Sequence, residues 1–222
     1  DVSGTIVGAV EKSLMLDGKS IRPGDAVIGL ASSGLHTNGY SLARKIFFER
    51  LKFKPSTRVA ELGNSIGEEL LKVHVSYGPL IQKLLRKFNS DSVSPTRKPA
   101  AGLTLKRTRP SRRARSQTIR GLAHITGGGF IDNIPRVLPG SCDVILRKGS
   151  WEMLPIFQLI QTKGGVPEEE LYQVFNMGIG MTLIVAADQA GEVLGFIRQR
   201  NQKAWVIGEV TEGSGVVRLV RG

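Results

Sequence analysis

The chain has 222 residues, 41% of them hydrophobic and 23% charged, with a formal net charge of +12. That length can bury a core of its own, and the composition is that of a globular protein. No stretch approaches the ~20 apolar residues of a helical membrane span. The single cysteine, Cys142, excludes an internal disulfide framework, and three widely spaced histidines make no zinc motif, so no metal is expected from spacing. Cys142 sits in an apolar run and is expected to be a buried thiol. The opening Asp1-Val2-Ser3-Gly4 lacks a Met and a basic-then-apolar leader. The expectation is a cytoplasmic chain cut from a longer one. Residues 95–120 hold nine Lys or Arg and no acid; without them the net charge falls from +12 to +3. The basicity is therefore local and says little about the folded domain.

Residues 5–10, Thr-Ile-Val-Gly-Ala-Val, are β-branched and apolar and predict a strand. Turn signals follow at Asp17-Gly18 and Arg22-Pro23-Gly24-Asp25, and residues 26–30 predict a buried strand. A polar, Gly-rich stretch over 32–39 precedes a helical pattern with Leu42, Ala43, Ile46, Phe47 and Leu51 on one face. A longer stripe runs from Leu70 through His74, Tyr77, Ile81 and Leu84 to Phe88, with a kink or break expected near Gly78 because of Pro79. His74 falls on its apolar face, which favours a core histidine, with a substrate contact as the alternative. From 90 to 120 the periodicity is lost in a Ser-, Pro- and Arg-rich stretch that reads as a disordered insertion.

Beyond it, residues 122–125 predict a strand, and Thr126-Gly127-Gly128-Gly129 opens a short helix reaching Val137. Strands are predicted at 144–146 and 181–186, and helices at 151–162, with Pro155 near its start, and at 168–175. Asp188 is placed as the cap of a helix running to Arg200. Two strands, 204–210 and 216–220, close the chain. Helices between strands, with hairpins at both ends, argue for an α+β sandwich.

Three Gly-rich stretches each adjoin an apolar strand. The first is Ser32-Ser33-Gly34-Leu35-His36-Thr37-Asn38-Gly39, the second His124-Ile125-Thr126-Gly127-Gly128-Gly129, the third Phe175-Asn176-Met177-Gly178-Ile179-Gly180-Met181. Small residues and free backbone N–H groups at a helix start favour anions, and glycines let a ligand approach the backbone. One such loop is commonplace; three on one domain suggest a shared phosphate-bearing ligand. None of them is a P-loop, and no Ser-His-Asp arrangement has a nucleophile elbow around it.

Residues 29–42, Gly-Leu-Ala-Ser-Ser-Gly-Leu-His-Thr-Asn-Gly-Tyr-Ser-Leu, resemble the signature of the aminoimidazole ribonucleotide synthetase family, the phosphoribosylformylglycinamidine cyclo-ligases. So do residues 124–139, from His-Ile-Thr-Gly-Gly-Gly-Phe through Asn133-Ile134-Pro135-Arg136, the third loop, and Ala204-Trp205-Val206-Ile207-Gly208. The resemblance covers residues 1–90 and 121–220 and implies the C-terminal half, an α/β/α sandwich with a mixed sheet, partly ferredoxin-like. It implies ATP-dependent ring closure on a ribonucleotide amidine in purine biosynthesis. ATP and Mg are then held mostly by an N-terminal half that is absent here, and the full enzyme is a homodimer. The fragment alone is expected to be inactive.

On this resemblance His36 and His124 are candidate proton carriers. Ser33, Gly34, Asn38, Gly39, Thr126, Gly127, Gly128, Gly129 and Asn133 are candidate substrate contacts, and Asn176, Gly178 and Gly180 line the site. His36, as a loop histidine, is expected to bury little. The sequence departs from the family pattern where Val73-His74-Val75 stands in place of Pro-Thr-Arg, and again at 90–120. Two other functions compete. One is a basic nucleic-acid-binding module using residues 97–120, which has no interleaved aromatics for base stacking. The other is a different ATP-dependent enzyme of the same superfamily.

Overall fold

The computed structural model describes residues 4–89 and 117–222. Its framework is a six-stranded mixed sheet centred on β1 (Ala26–Ala31). A second, minor sheet pairs β2 (Arg58–Val59) with β3 (Asn64–Ser65). The main sheet is completed by β4 (Ile119–His124), β5 (Cys142–Lys148), β6 (Ile179–Val185), β7 (Ala204–Glu212) and β8 (Val217–Arg221), in the order β4-β6-β1-β7-β5-β8. All neighbours are antiparallel except β5 and β8, which run parallel. The closing strands therefore do not form the expected hairpin: β5 lies between β7 and β8.

The helices are α1 (Tyr40–Arg44), which runs on into a π-helical stretch over Lys45–Arg50, α2 (Ile66–Leu70), α3 (Gly78–Phe88), α4 (Gly129–Asn133), α5 (Pro155–Gly164), α6 (Glu168–Val174) and α7 (Ala190–Arg198). They cover both faces of the sheet. Side chains alternate across a strand, so Val27 points into a core with Phe47, Phe157, Ile160 and Leu171. Its neighbours Ile28 and Leu30 point into a second core with Leu84 of α3 and Val193 and Ile197 of α7. This is the expected α/β/α sandwich with a mixed sheet. Cys142 is a buried free thiol, as expected. Among the described residues, no helix is long and apolar enough to cross a membrane.

Four local expectations are corrected. Residues 5–10 form no strand, and Ile6 and Val7 stand fully exposed. A β-branched run becomes a strand only where an edge is available to pair with it, and no described strand does so. The stripe over 70–88 breaks at Gly78 as expected, but its first part is not helical beyond Leu70. α2 ends at Leu70, residues 72–77 are irregular, and α3 starts at Gly78 with Pro79 in its first turn, where a missing N–H is no loss. Asp188 lies in a 3-10 turn over Ala187–Gln189, and its side chain caps nothing in α7. Finally, β4 begins at Ile119, inside the stretch read as a disordered insertion. Arg120, counted among its free charges, is buried and paired with Asp25. The rest of that stretch, residues 90–116, lies outside the described residues.

Candidate functional site

β1 ends at Ala31, and the chain turns sharply over 32–39 before α1. The turn is held by internal hydrogen bonds. The Ser33 N–H donates to Nε2 of His36 (3.1 Å), and the Tyr40 hydroxyl reaches the carbonyls of His36 (2.9 Å) and Leu70 (2.6 Å). His36 has φ +58°, in the left-handed region that costs a non-glycine residue energy. It is 3% exposed, so the expectation that it buries little fails. Gly39 has φ +77°, and a Cβ there would lie 2.1 Å from the Phe175 ring.

The third loop braces the first. Asn176 is buried. Its Oδ1 accepts from the Ser32 hydroxyl (2.9 Å) and the Gly178 N–H (2.8 Å), and its Nδ2 donates to the Gly34 carbonyl (2.9 Å). Gly178 itself has φ +99°. Gly180 touches the site from β6: a Cβ there would fall 2.2 Å from the Tyr77 hydroxyl and 2.6 Å from Cε1 of His36. A side chain at position 180 would thus occupy the space that seats both rings.

The second loop leaves β4 at His124. Asn133 is buried and faces inward. It accepts from the Thr126 hydroxyl (3.0 Å) and donates to the Gly129 (2.7 Å) and Gly127 (3.2 Å) carbonyls. These bonds make it a brace of the glycine loop, with its polar atoms turned away from solvent. Gly128 (φ +91°) and Gly129 (φ +55°) both need the left-handed region. A Cβ on Gly127 would come 3.4 Å from Oδ1 of Asn38, so the first and second loops adjoin.

The three histidines meet where these loops converge. The rings of His36 and His74 stack, with centroids 3.9 Å apart and planes 19° from parallel. Nε2 of His74 lies 3.1 Å from Nε2 of His124, close enough for one to donate to the other. Tyr77 closes the group and donates to the Ala31 carbonyl (2.7 Å). Desolvation lowers the pKa of His36 to about 4, and the neighbouring His74 and His124 add to the effect. Desolvation also lowers His74 and His124, the latter with a contribution from His74. Burial raises the Tyr77 hydroxyl above its ordinary value. The cluster is therefore neutral at pH 7.

A cavity of about 310 Å³ opens beside it, lined by Leu122, Ala123, His124, Thr126, Asn133, Arg136 and Val137. A larger one, about 470 Å³, is lined by Glu152, Arg198 and residues 201–205; it touches the Ala204-Trp205 motif but none of the candidate site residues. The smaller cavity has both an imidazole and a guanidinium, which suits an anionic ligand that exchanges a proton. Arg136 was not singled out from the sequence, and His74, read there as a core histidine, is only half-buried and belongs to this site. Arg136 stands within the second motif, three residues after Asn133. His74 was hidden by the apparent helical stripe.

The profile described as "AIR synthase related protein, C-terminal domain" matches residues 84–221. A phosphoribosylformylglycinamidine cyclo-ligase of Geobacillus thermodenitrificans is 42% identical over 216 residues, covering 97% of this chain and 54% of that protein. The protein of the same name from Syntrophus aciditrophicus is 38% identical over 215 residues, covering 97% and 54%. The chain thus spans about half the length of the curated relatives it matches. A crystal structure of a thiamine-monophosphate kinase from Stenotrophomonas maltophilia superposes with a TM-score of 0.56 at 10% identity, covering 95% of this chain and 54% of that one. At that identity the likeness is one of fold. By the profile match over residues 84–221, the chain belongs to the AIR synthase related protein family, as its C-terminal domain.

Proposed function

We propose that this chain is the substrate-side half of an ATP-dependent cyclo-ligase that converts formylglycinamidine ribonucleotide to aminoimidazole ribonucleotide in purine biosynthesis. The observation that carries this reading is the convergence of the 32–39 loop and the 124–129 loop on one histidine cluster beside the cavity that holds Arg136. The names of the relatives at 38–42% identity support it. They also favour it over another enzyme of the superfamily, since the thiamine-monophosphate kinase shares only the fold.

In the full reaction, ATP supplies a phosphoryl group that turns the formyl amide oxygen into a leaving group. The amidine nitrogen attacks that carbon, the C–O bond breaks, and the ring closes with release of ADP and phosphate. This chain's part is to hold the ribonucleotide and to move a proton. Arg136 binds the anionic end, beside Thr126, whose hydroxyl donates to Asn133. The Asn38 side chain and the backbone of 127–129 bound the opposite wall. His124 is exposed and lines the cavity, so it takes the proton from the attacking nitrogen, while buried His36 seats His74 behind it. Ser33 gives its hydroxyl to the Val73 carbonyl (2.7 Å), which fixes the segment carrying His74. Gly34, Gly39, Asn133, Asn176, Gly178 and Gly180 shape the walls. Among the described residues the loops include no P-loop, and ATP and Mg are bound mainly by an N-terminal half, in a cytoplasmic homodimer. The nucleic-acid reading loses one of its cations, since Arg120 is spent on Asp25.

The test is a chimera that places this chain behind the N-terminal half of the Geobacillus thermodenitrificans relative. ATP-dependent formation of aminoimidazole ribonucleotide by the chimera, reduced at least about a hundredfold by His124→Ala, is the expected result. A folded chimera that binds neither substrate nor ATP would refute the assignment.

A further inference from the structure

The chain contains three histidines in all, and the fold brings every one of them to a single point. Each offers a ring nitrogen, and these atoms lie within 4.8 Å of one another. We propose that His36, His74 and His124 form a three-nitrogen site for a divalent transition metal ion of the Zn²⁺ class, with a fourth position open toward the cavity lined by Thr126 and Arg136.

Distance, chemistry and access all support it. Zinc–nitrogen bonds of about 2.0–2.1 Å in tetrahedral geometry place two ligand nitrogens roughly 3.3 Å apart. The Nε2 atoms of His74 and His124 are already 3.1 Å apart. An ion seated between them replaces their mutual hydrogen bond, and the His36 ring, stacked 19° from parallel on His74, must turn to aim a nitrogen at it. Imidazole suits zinc, copper and nickel and does not suit Mg²⁺ or Ca²⁺, which take oxygen ligands. No carboxylate belongs to the group.

The buried ring supplies the second observation. Nδ1 of His36 has no hydrogen-bond partner, although the residue is 3% exposed. Buried polar atoms are rarely left in that state, and each such atom calls for an explanation. A metal bond at Nδ1 satisfies it. Ligation moves the ring proton to Nε2, where it would oppose the Ser33 N–H, so that hydrogen bond is lost and the 33–36 turn must shift to part the two donors. His124 is exposed and gives the ion a path in from solvent. Three neutral ligands leave the ion its full charge. The open position then takes water, hydroxide or an anionic oxygen held in the cavity. This inference competes with the proton-carrying role proposed for His124, since a ligated ring has no free lone pair; the test below reads binding alone.

The test uses the purified 222-residue chain without an affinity tag. Zn²⁺ is titrated in competition with a chromophoric chelator, and Co²⁺ is followed by its visible absorption, which intensifies in four-coordinate sites. One equivalent should bind, with the intense Co²⁺ spectrum. His74→Ala and His124→Ala should each weaken Zn²⁺ binding by at least about tenfold, the loss that even supporting residues cause at such sites. Cys142→Ser should leave binding unchanged. Circular dichroism checks that each variant is folded. If His74→Ala does not fold, His124→Ala decides the matter alone, at an exposed position. No stoichiometric binding, or a loss of less than tenfold in a folded histidine variant, overturns the proposal.

Discussion

The imidazole of His74 lies flat against that of His36, 3.9 Å between centroids, and His36 itself sits in space that Gly180 leaves open. Neither ring has an acid beside it, so the pair is stable only while uncharged. His36 has a pKa near 4 in the fold and an ordinary value of 6.5 in the unfolded chain. The unfolded chain therefore takes up the proton first as pH falls. The stability from the neutral ring is complete above pH ~6.5 and is lost progressively toward pH ~4, at up to about 1.4 kcal/mol per pH unit. Urea midpoints measured across this range should fall more steeply in the wild type than in His36→Asn, whose side chain tolerates the left-handed backbone. Parallel slopes would show that His36 does not titrate this way.

Asn176 ties three backbone and side-chain groups of two loops together. Asn176→Ala should cost about 3 kcal/mol, since it strands the buried Ser32 hydroxyl, the Gly34 carbonyl and the Gly178 N–H. Urea unfolding measures this directly. A cost below about 1 kcal/mol would mean that water replaces the amide with little loss.

Gly39 and Gly63 separate backbone strain from packing. Both have φ near +70°, but a Cβ at Gly63 meets open space, while one at Gly39 meets the Phe175 ring. Gly63→Ala should cost about 1 kcal/mol, the strain alone. Gly39→Ala should cost about 3 kcal/mol. For a chain of this size these correspond to losses of roughly 3 °C and 9 °C in Tm. Equal losses in the two variants would exclude the clash with Phe175.

The buried pair of Arg120 and Asp25 should be costly to break from either side. Asp25→Ala leaves a guanidinium without its partner and should lower stability by about 3–5 kcal/mol. Asp25 also accepts from the Arg22 N–H, so it holds the turn that enters β1. The double variant Asp25→Ala/Arg120→Ala should lose less than the sum of the singles. Strict additivity in urea unfolding would deny the coupling.

Much of the fold was legible from local pattern. β1 is an uninterrupted apolar run, β6 is one but for Thr182, and the glycine loops stand out by composition; α5, read from Trp151, starts at Pro155. What escaped depends on contacts between distant residues. Ile6 and Val7 have strand-forming side chains, but that preference needs a partner edge. His74 fits a helical stripe when only its spacing is considered, yet Pro79 places a helix start after it and frees 72–77 to reach back to His36. No spacing rule could have joined His36, His74 and His124, because the fold unites them across 88 residues. The roles of Asn133 and Asn176 were similarly hidden. Their place in the motifs was plain, but only the hydrogen bonds reveal them as braces.

The central position of β1 has a consequence for synthesis on the ribosome. Both neighbours of this strand come late in the chain: Ala26 pairs with Val185 on one side and Glu209 on the other. Until those residues have emerged, both edges of β1 remain unsatisfied, and contacts of such long sequence separation form slowly. The 32–39 loop is thus translated early and shaped last. A nascent chain stalled before residue 204 would hold every histidine of the cluster, yet it would lack the strand that secures β1, and so would need a chaperone or a neighbouring domain to shield it.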